Sequence, residues 1–147
     1  MSPPAFSLNS ILRLRRVHRE QCGRQWTEAR ETETSAGQLL AELQDRLHRL
    51  HGRLRETITP GTLNVEELLG LKSLERSLRA QLFESQQRCR QAAEHSLQQQ
   101  AALAEADEQV RVLERLADRQ QQQQQRELAA KQLRELDDAR GARSANQ

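Results

Sequence analysis

The residues in this chain whose types could do chemistry are two cysteines, four histidines and a cluster of arginines. Cys22 and Cys89 could form a disulfide or hold a metal only if the fold brought them within reach of each other or of further ligands. His48 and His51 are three apart, a helical spacing that puts both rings on one face, and Arg46, Arg49 and Arg53 flank them. A zinc site needs three or four converging ligands, and no Cys or acidic cluster is placed to join this pair. They read as surface histidines on a basic face; His18 and His95 are isolated. Asp137 and Asp138 are neighbouring carboxylates, but acid–base work also needs a pocket to hold a substrate. Glycines 23, 37, 52, 61, 70 and 141 are scattered, so no loop is built to cradle phosphate. These residues predict no catalytic site, cofactor or metal: the protein is expected not to be an enzyme and to act by touching other proteins.

The arginines are more informative. From residue 13 to 24 there are five (Arg13, Arg15, Arg16, Arg19, Arg24) against the single acid Glu20, interleaved with Leu8, Ile11, Leu12, Leu14 and Val17. Positive charge near a helix N-terminus opposes the macrodipole, so folding alone does not favour it. The apolar residues also cover more than the narrow stripe a two-stranded coil buries. A basic, partly apolar tip offered to an acidic or polar collar on a partner is the expectation. A second apolar excess, Leu39, Leu69, Leu74 and Phe83, suggests another docking face nearer the middle of the chain.

The elements that must position these residues follow from composition. Of 147 residues, 35% are hydrophobic, 2% aromatic and 30% charged, too few large apolar groups for a globular core of this length. Disorder would bring Pro, Gly and Ser with weak periodicity, but the chain is rich in the helix formers Leu, Ala, Glu, Gln and Arg. Long helices burying a narrow seam remain. The net charge of +2 disfavours nucleic acid as a partner. No apolar run approaches a membrane span, and the start lacks the pattern of a signal peptide. The cytoplasm is the expected compartment, and free thiols suit it.

Residues 1–7 read as a flexible lead-in with Ser7 as N-cap, because Pro3 and Pro4 cannot join a helix interior. A helix is expected over 8–56. Cys22, Trp26, Ala29, Ala36, Leu40, Leu43, Leu47, Leu50 and Leu54 alternate steps of three and four with one gap at Glu33, the heptad seam of a coiled coil. The turn is placed at 57–63, where Thr57-Ile58-Thr59-Pro60-Gly61-Thr62 holds the only Pro-Gly pair. Asn64 with Glu67 three residues on can cap the next helix, expected over 64–140 with Gly141 as its stop and 141–147 as a flexible tail. Its seam runs through Leu68, Leu71, Leu78, Leu82, Cys89, Ala92, Leu103, Ala106, Val110, Leu113 and Ala117, interrupted at Glu75, Ser85, Ser96 and Gln99. The run Gln120–Gln125 leaves the seam empty before Leu128, Leu133 and Leu136 resume it. It reads as solvated helix, with a disordered tract as the alternative.

The fold class expected is all-α, a long antiparallel two-helix coiled-coil hairpin, monomeric when free. With a turn near residue 60, facing residues should have numbers summing to about 118 to 122. Trp26 then lands opposite Ala92 to Ser96, and Cys22 lies beyond disulfide reach of Cys89. The second helix is longer, so its C-terminal part either protrudes or packs on Leu8–Val17. A continuous rod dimerising through the same seam is the alternative.

Leu8-x-x-Ile11-Leu12-x-Leu14-Arg15-Arg16-x-x-x-Glu20 resembles the opening of the flagellar export stalk proteins (FliJ) and their injectisome relatives (YscO type). Val112-Leu113-Glu114-Arg115-Leu116-Ala117-Asp118-Arg119 and Arg134-Glu135-Leu136-Asp137-Asp138 resemble their late segments. The resemblance implies a central stalk of a type III protein export apparatus. The paired termini would enter the pore of a hexameric export ATPase through Leu8, Ile11, Leu12, Arg13, Leu14, Arg15, Arg16, Arg19, Leu133 and Leu136. The hairpin body would reach the export gate membrane protein through Leu39, Leu74, Leu78 and Phe83 and would also meet export chaperones, with no insertion into the membrane itself. The protein would be cytoplasmic, peripheral to the inner-membrane apparatus. Between the two branches, the plain Arg-rich opening leans toward the injectisome. Outside this resemblance stand a generic coiled-coil adaptor and a helical-hairpin chaperone gripping clients, though the Pro60-Gly61 turn is short and polar for a client grip.

Overall fold

The computed structural model describes residues 4–58, 61 and 64–146, with side chains from Ser7 onward. Helix α1 spans Pro4–Thr57 and helix α2 spans Val65–Ala145. Together they form an all-α helical hairpin. His51 pairs with Glu75, and Leu103 lies over Gly23, near enough to touch a side chain placed there, so the two helices meet within one chain, which sets aside the continuous rod.

α1 starts at Pro4, ahead of the expected cap at Ser7. Proline is well tolerated at the first helical position, where its missing N–H has no partner to lose and its φ is already helical. α1 ends on schedule at Thr57, where the Ile58 N–H still donates to the Leu54 carbonyl at 3.2 Å. Gly61 has φ +102°, the left-handed region that glycine enters without strain. Thr59, Pro60, Thr62 and Leu63 of the expected turn, and residues 1–3 of the expected lead-in, lie outside the described residues. Asn64 caps α2 as its position predicts: its Oδ1 accepts from the N–H groups of Glu66 (3.1 Å) and Glu67 (3.4 Å). α2 continues through Gly141 to Ala145. A helical glycine costs about 1 kcal/mol against alanine, which does not by itself end a helix this long. The glutamine run 120–125 is helical.

Two compact units divide the chain, one holding residues 22–103 and the other residues 1–21 with 104–147. In the first, Leu43, Leu50, Leu54, Leu71 and Leu78 form the buried core, with Leu47, Leu68 and Leu82 packed against it. The seam of α2 is unbroken there. Glu75, Ser85, Ser96 and Gln99, expected as interruptions, all stay in frame and are buried or half-buried, as does Glu33 on α1. Trp26 shares a groove with Ala93, Ser96, Leu97 and Gln100 and has the Arg30 guanidinium 5.1 Å from its centroid; the register puts it level with Gln100, about a turn beyond the expected Ala92 to Ser96.

The register differs from expectation by about one helical turn. His51 with Glu75 and Gly23 with Leu103 are pairs whose numbers sum to 126, above the expected 118 to 122. The seam of α1 runs to its last residue, Thr57, whereas the seam of α2 starts only at Leu68, three residues into the helix. A turn treated as symmetric about Pro60 misses that offset. Cys22 consequently sits near the level of Leu103, about 14 residues from Cys89, on the order of 20 Å along the helix. Neither thiol is in a disulfide.

In the second unit, Leu12, Ala106 and Val110 are buried, Val110 completely. Burial on α2 ends at Gln120, and every described residue from 121 to 146 is exposed. Leu128, Leu133 and Leu136 therefore do not resume the seam. They also fall out of the frame that runs through Ala117 and Gln120.

Candidate functional site

The expected N-terminal tip is only partly a free surface. Arg15 donates to the Gln109 Oε1 at 2.9 Å, Arg16 pairs with Glu114 at 3.2 Å, and Arg19 approaches Asp107 at 3.6 Å. Three of the five arginines thus hold α1 to α2, which explains their place near a helix N-terminus despite the macrodipole. Arg15 and Arg19 continue the seam frame back from Cys22, and Leu12 and Leu8 follow at the same spacing. Leu12 is buried between the helices and Leu8 half-buried, so Leu12 has little side chain to offer a partner. Arg13 is exposed and makes no ion pair with a described residue.

Apolar groups do face outward in this unit. Leu14 is 70% exposed, and Ile11 and Val17 are also open on α1. On α2 Val112 and Leu116 form an exposed i, i+4 pair, and Leu133 and Leu136, each close to 60% exposed, lie on a stretch of helix with no facing partner. Val17 belonged to the expected tip, whereas Val112 and Leu116 were not among the expected contact residues. Their signal was available: each is an apolar residue outside the seam frame.

The second expected face divides. Leu39 and Leu74 are exposed on one flank of the seam, Phe83 and Leu69 on the other, and Leu78 is buried in the core. Leu78 therefore cannot serve as a docking residue in the folded hairpin. Leu74 borders a groove of about 530 Å³ that Arg46, Arg49, Arg53, Ser77 and Gln81 also line, floored by Leu50 and Leu78.

The opposite flank carries the most constrained carboxylate. Glu75 occupies a seam position, and its side chain is only 13% exposed. Arg79 donates to its Oε1 through Nε and Nη2 at 3.1 and 3.0 Å, His51 Nε2 lies 3.2 Å from the same oxygen, and Lys72 donates to Oε2 at 3.4 Å. The bonds from Arg79 and then His51 dominate, with help from the Lys72 charge, and outweigh burial in holding the carboxyl down at about 2. Through His51 of α1 and Glu75 of α2 this cluster joins the two helices.

Among the described residues no group of three or more His, Cys, Asp or Glu could hold a metal ion. No helix is long and apolar enough to cross a membrane. What the geometry offers is surface: an apolar set around the chain termini and a basic groove along the hairpin body.

No curated protein and no solved structure matches the chain. The family model described as flagellar FliJ protein matches residues 4–147. That match covers nearly the whole chain and falls on the flagellar branch, so the lean toward the injectisome gains nothing from it. An all-α hairpin with its outward apolar groups near the termini, matched over this length, belongs to the FliJ family of flagellar protein-export components.

Proposed function

We propose that the chain is the cytoplasmic central stalk of a type III export apparatus, entering a hexameric export ATPase with its termini and meeting the export gate and export chaperones along its body. The observation that carries this reading is the set of exposed leucines in the unit that holds both termini: Leu14 on α1, and Leu133 and Leu136 on a part of α2 whose described residues are all exposed. Leaving that many leucines in water is unfavourable, at up to about 2 kcal/mol each if a partner would bury them fully. A ring pore that closes around the two helices would bury them. Arg13, exposed and without an ion pair to a described residue, adds a charge next to Leu14 in sequence, while Arg15, Arg16 and Arg19 act by keeping α1 paired with α2. Ile11 and Leu8 complete the α1 side of the contact. Leu39, Leu74 and Phe83, being on two flanks, would serve two different contacts rather than one face.

The role is one of contact, not catalysis. Its test is co-purification with the export ATPase of the same organism, followed by ATP hydrolysis with and without the chain. Leu14→Glu combined with Leu133→Glu should abolish co-purification and any change in hydrolysis, while Phe83→Glu leaves both intact. Unchanged binding by the double variant would overturn the placement of the termini in the ring.

A further inference from the structure

Residues seven apart on a coiled-coil helix repeat the same position relative to the seam. On the flank that carries the groove, α1 places Leu39, Arg46 and Arg53, and α2 places Leu74, Gln81 and Arg88. Antiparallel register sets Arg46 across from Gln81, Arg53 across from Leu74 and Leu39 across from Arg88. Such flanking positions ordinarily hold opposite charges that bridge the seam. On the other flank one pair does cross, His51 of α1 with Glu75 of α2, while Arg79 and Lys72 hold Glu75 from its own helix. Here every pair sets an arginine against an uncharged residue. Arg46, Arg53 and Arg88 make no ion pair with a described residue, and the nearby Arg49 is matched only by Asp45 of its own helix at 3.1 Å. The acids further out on this side, Glu42 and Glu84, fall between the levels of Leu39 and Arg46 and do not line the groove.

We infer that this groove is a docking site for an acidic helical segment of a partner protein. Its floor is apolar, from Leu50 and Leu78, and its α1 wall carries the guanidiniums of Arg46, Arg49 and Arg53, facing Leu74, Ser77 and Gln81 of α2; exposed leucines mark the two ends of the flank, Leu74 in the groove at 48% and Leu39 beyond it at 41%. Leu39 is level with Arg88, so the leucines are about 14 residues apart along the helix, or ~21 Å. The segment that fits has an apolar residue near each end and carboxylates between, lying along the hairpin as a third strand. Arginine suits this better than a bare point charge would, because its planar fork matches a carboxylate in two places. Nucleic acid fits less well: no aromatic ring lines the groove, and the chain's net charge is only +2. A lipid surface fits less well too, since two leucines at ~21 Å give no continuous apolar face. Assigning the segment to an export component rests on the proposed role, but the groove's chemistry does not.

The experiment uses the full chain and a synthetic helical peptide with leucines about 14 residues apart and three glutamates between them. Fluorescence anisotropy should show binding that weakens as salt rises. Arg46→Gln with Arg53→Gln should reduce affinity by about tenfold, and so should replacing the peptide's glutamates with glutamine, an arm that leaves the protein untouched. Phe83→Ala on the opposite flank should change nothing, and ATPase co-purification should survive the arginine variant, so the two readings can fail separately. Equal binding of the glutamine peptide would overturn the inference. So would duplex DNA or phosphatidylglycerol vesicles displacing the peptide while the arginine variant still bound it.

Discussion

Replacing Ser85 with alanine should make the hairpin more stable, although it deletes a polar group from a seam position. Ser85 is 3% exposed, and its hydroxyl is buried with no hydrogen-bond partner. A buried, unsatisfied polar group costs about 1–3 kcal/mol. Serine is also a poorer helix former than alanine by roughly 0.5 kcal/mol. Removing the oxygen leaves a small void, which takes back part of the gain. The net expectation is about 1–2 kcal/mol of stabilisation. Ser96 supplies the internal control: it is also buried, at 7%, but it has no orphaned hydroxyl. Ser96→Ala should gain only the helix-propensity part, about 0.5 kcal/mol. Urea unfolding followed by circular dichroism and by Trp26 fluorescence gives both values, provided the two probes report one transition. If Ser85→Ala proves destabilising, or gains no more than Ser96→Ala, the hydroxyl is satisfied in solution and the reasoning fails.

Three further expectations concern other parts of the seam. Glu75 is held at about 2, below its ordinary 4.5, chiefly by Arg79 and His51; a lowered pKa contributes stability that is fully present above pH 4.5 and lost as pH falls through that window toward 2. An acid titration of Tm should show this loss, and Glu75→Gln should flatten it. Val110→Ala removes two methyl groups from the one completely buried large side chain, and should cost about 2–3 kcal/mol in urea unfolding by transfer and cavity terms. Deleting residues 121–147 should lower the helical signal but leave the unfolding free energy within about 0.5 kcal/mol of the full chain, because every described residue of that stretch is exposed; a larger loss would mean the stretch packs on the hairpin after all.

The hairpin was legible because its signals are local. Steps of three and four from Cys22 to Leu54 depend only on α1, and the Asn64 cap depends on residues two and three positions on. Register was not legible to better than a turn, because it depends on where each seam begins, and α2 starts three residues before its seam does. The polar seam positions misled for a related reason. Glu75 looks like a break until Arg79 and His51 converge on it from two helices, and only the fold supplies that convergence. The tip arginines were legible only in part: Arg13, Arg15 and Arg16 are exposed as a charged surface should be, but the interhelical contacts of Arg15, Arg16 and Arg19 were not foreseen, because their partners Gln109, Glu114 and Asp107 are some ninety residues away in sequence. The seam therefore explains why the helices pair, and it says little about what they meet. Partner contacts must use residues the seam leaves over, and these fall into two chemically different sets, leucines around the termini and arginines without counter-charges along one flank. Two partners, each suited to one set, match the residues as they stand, and the two experiments above separate them, since leucine variants should break one contact and arginine variants the other.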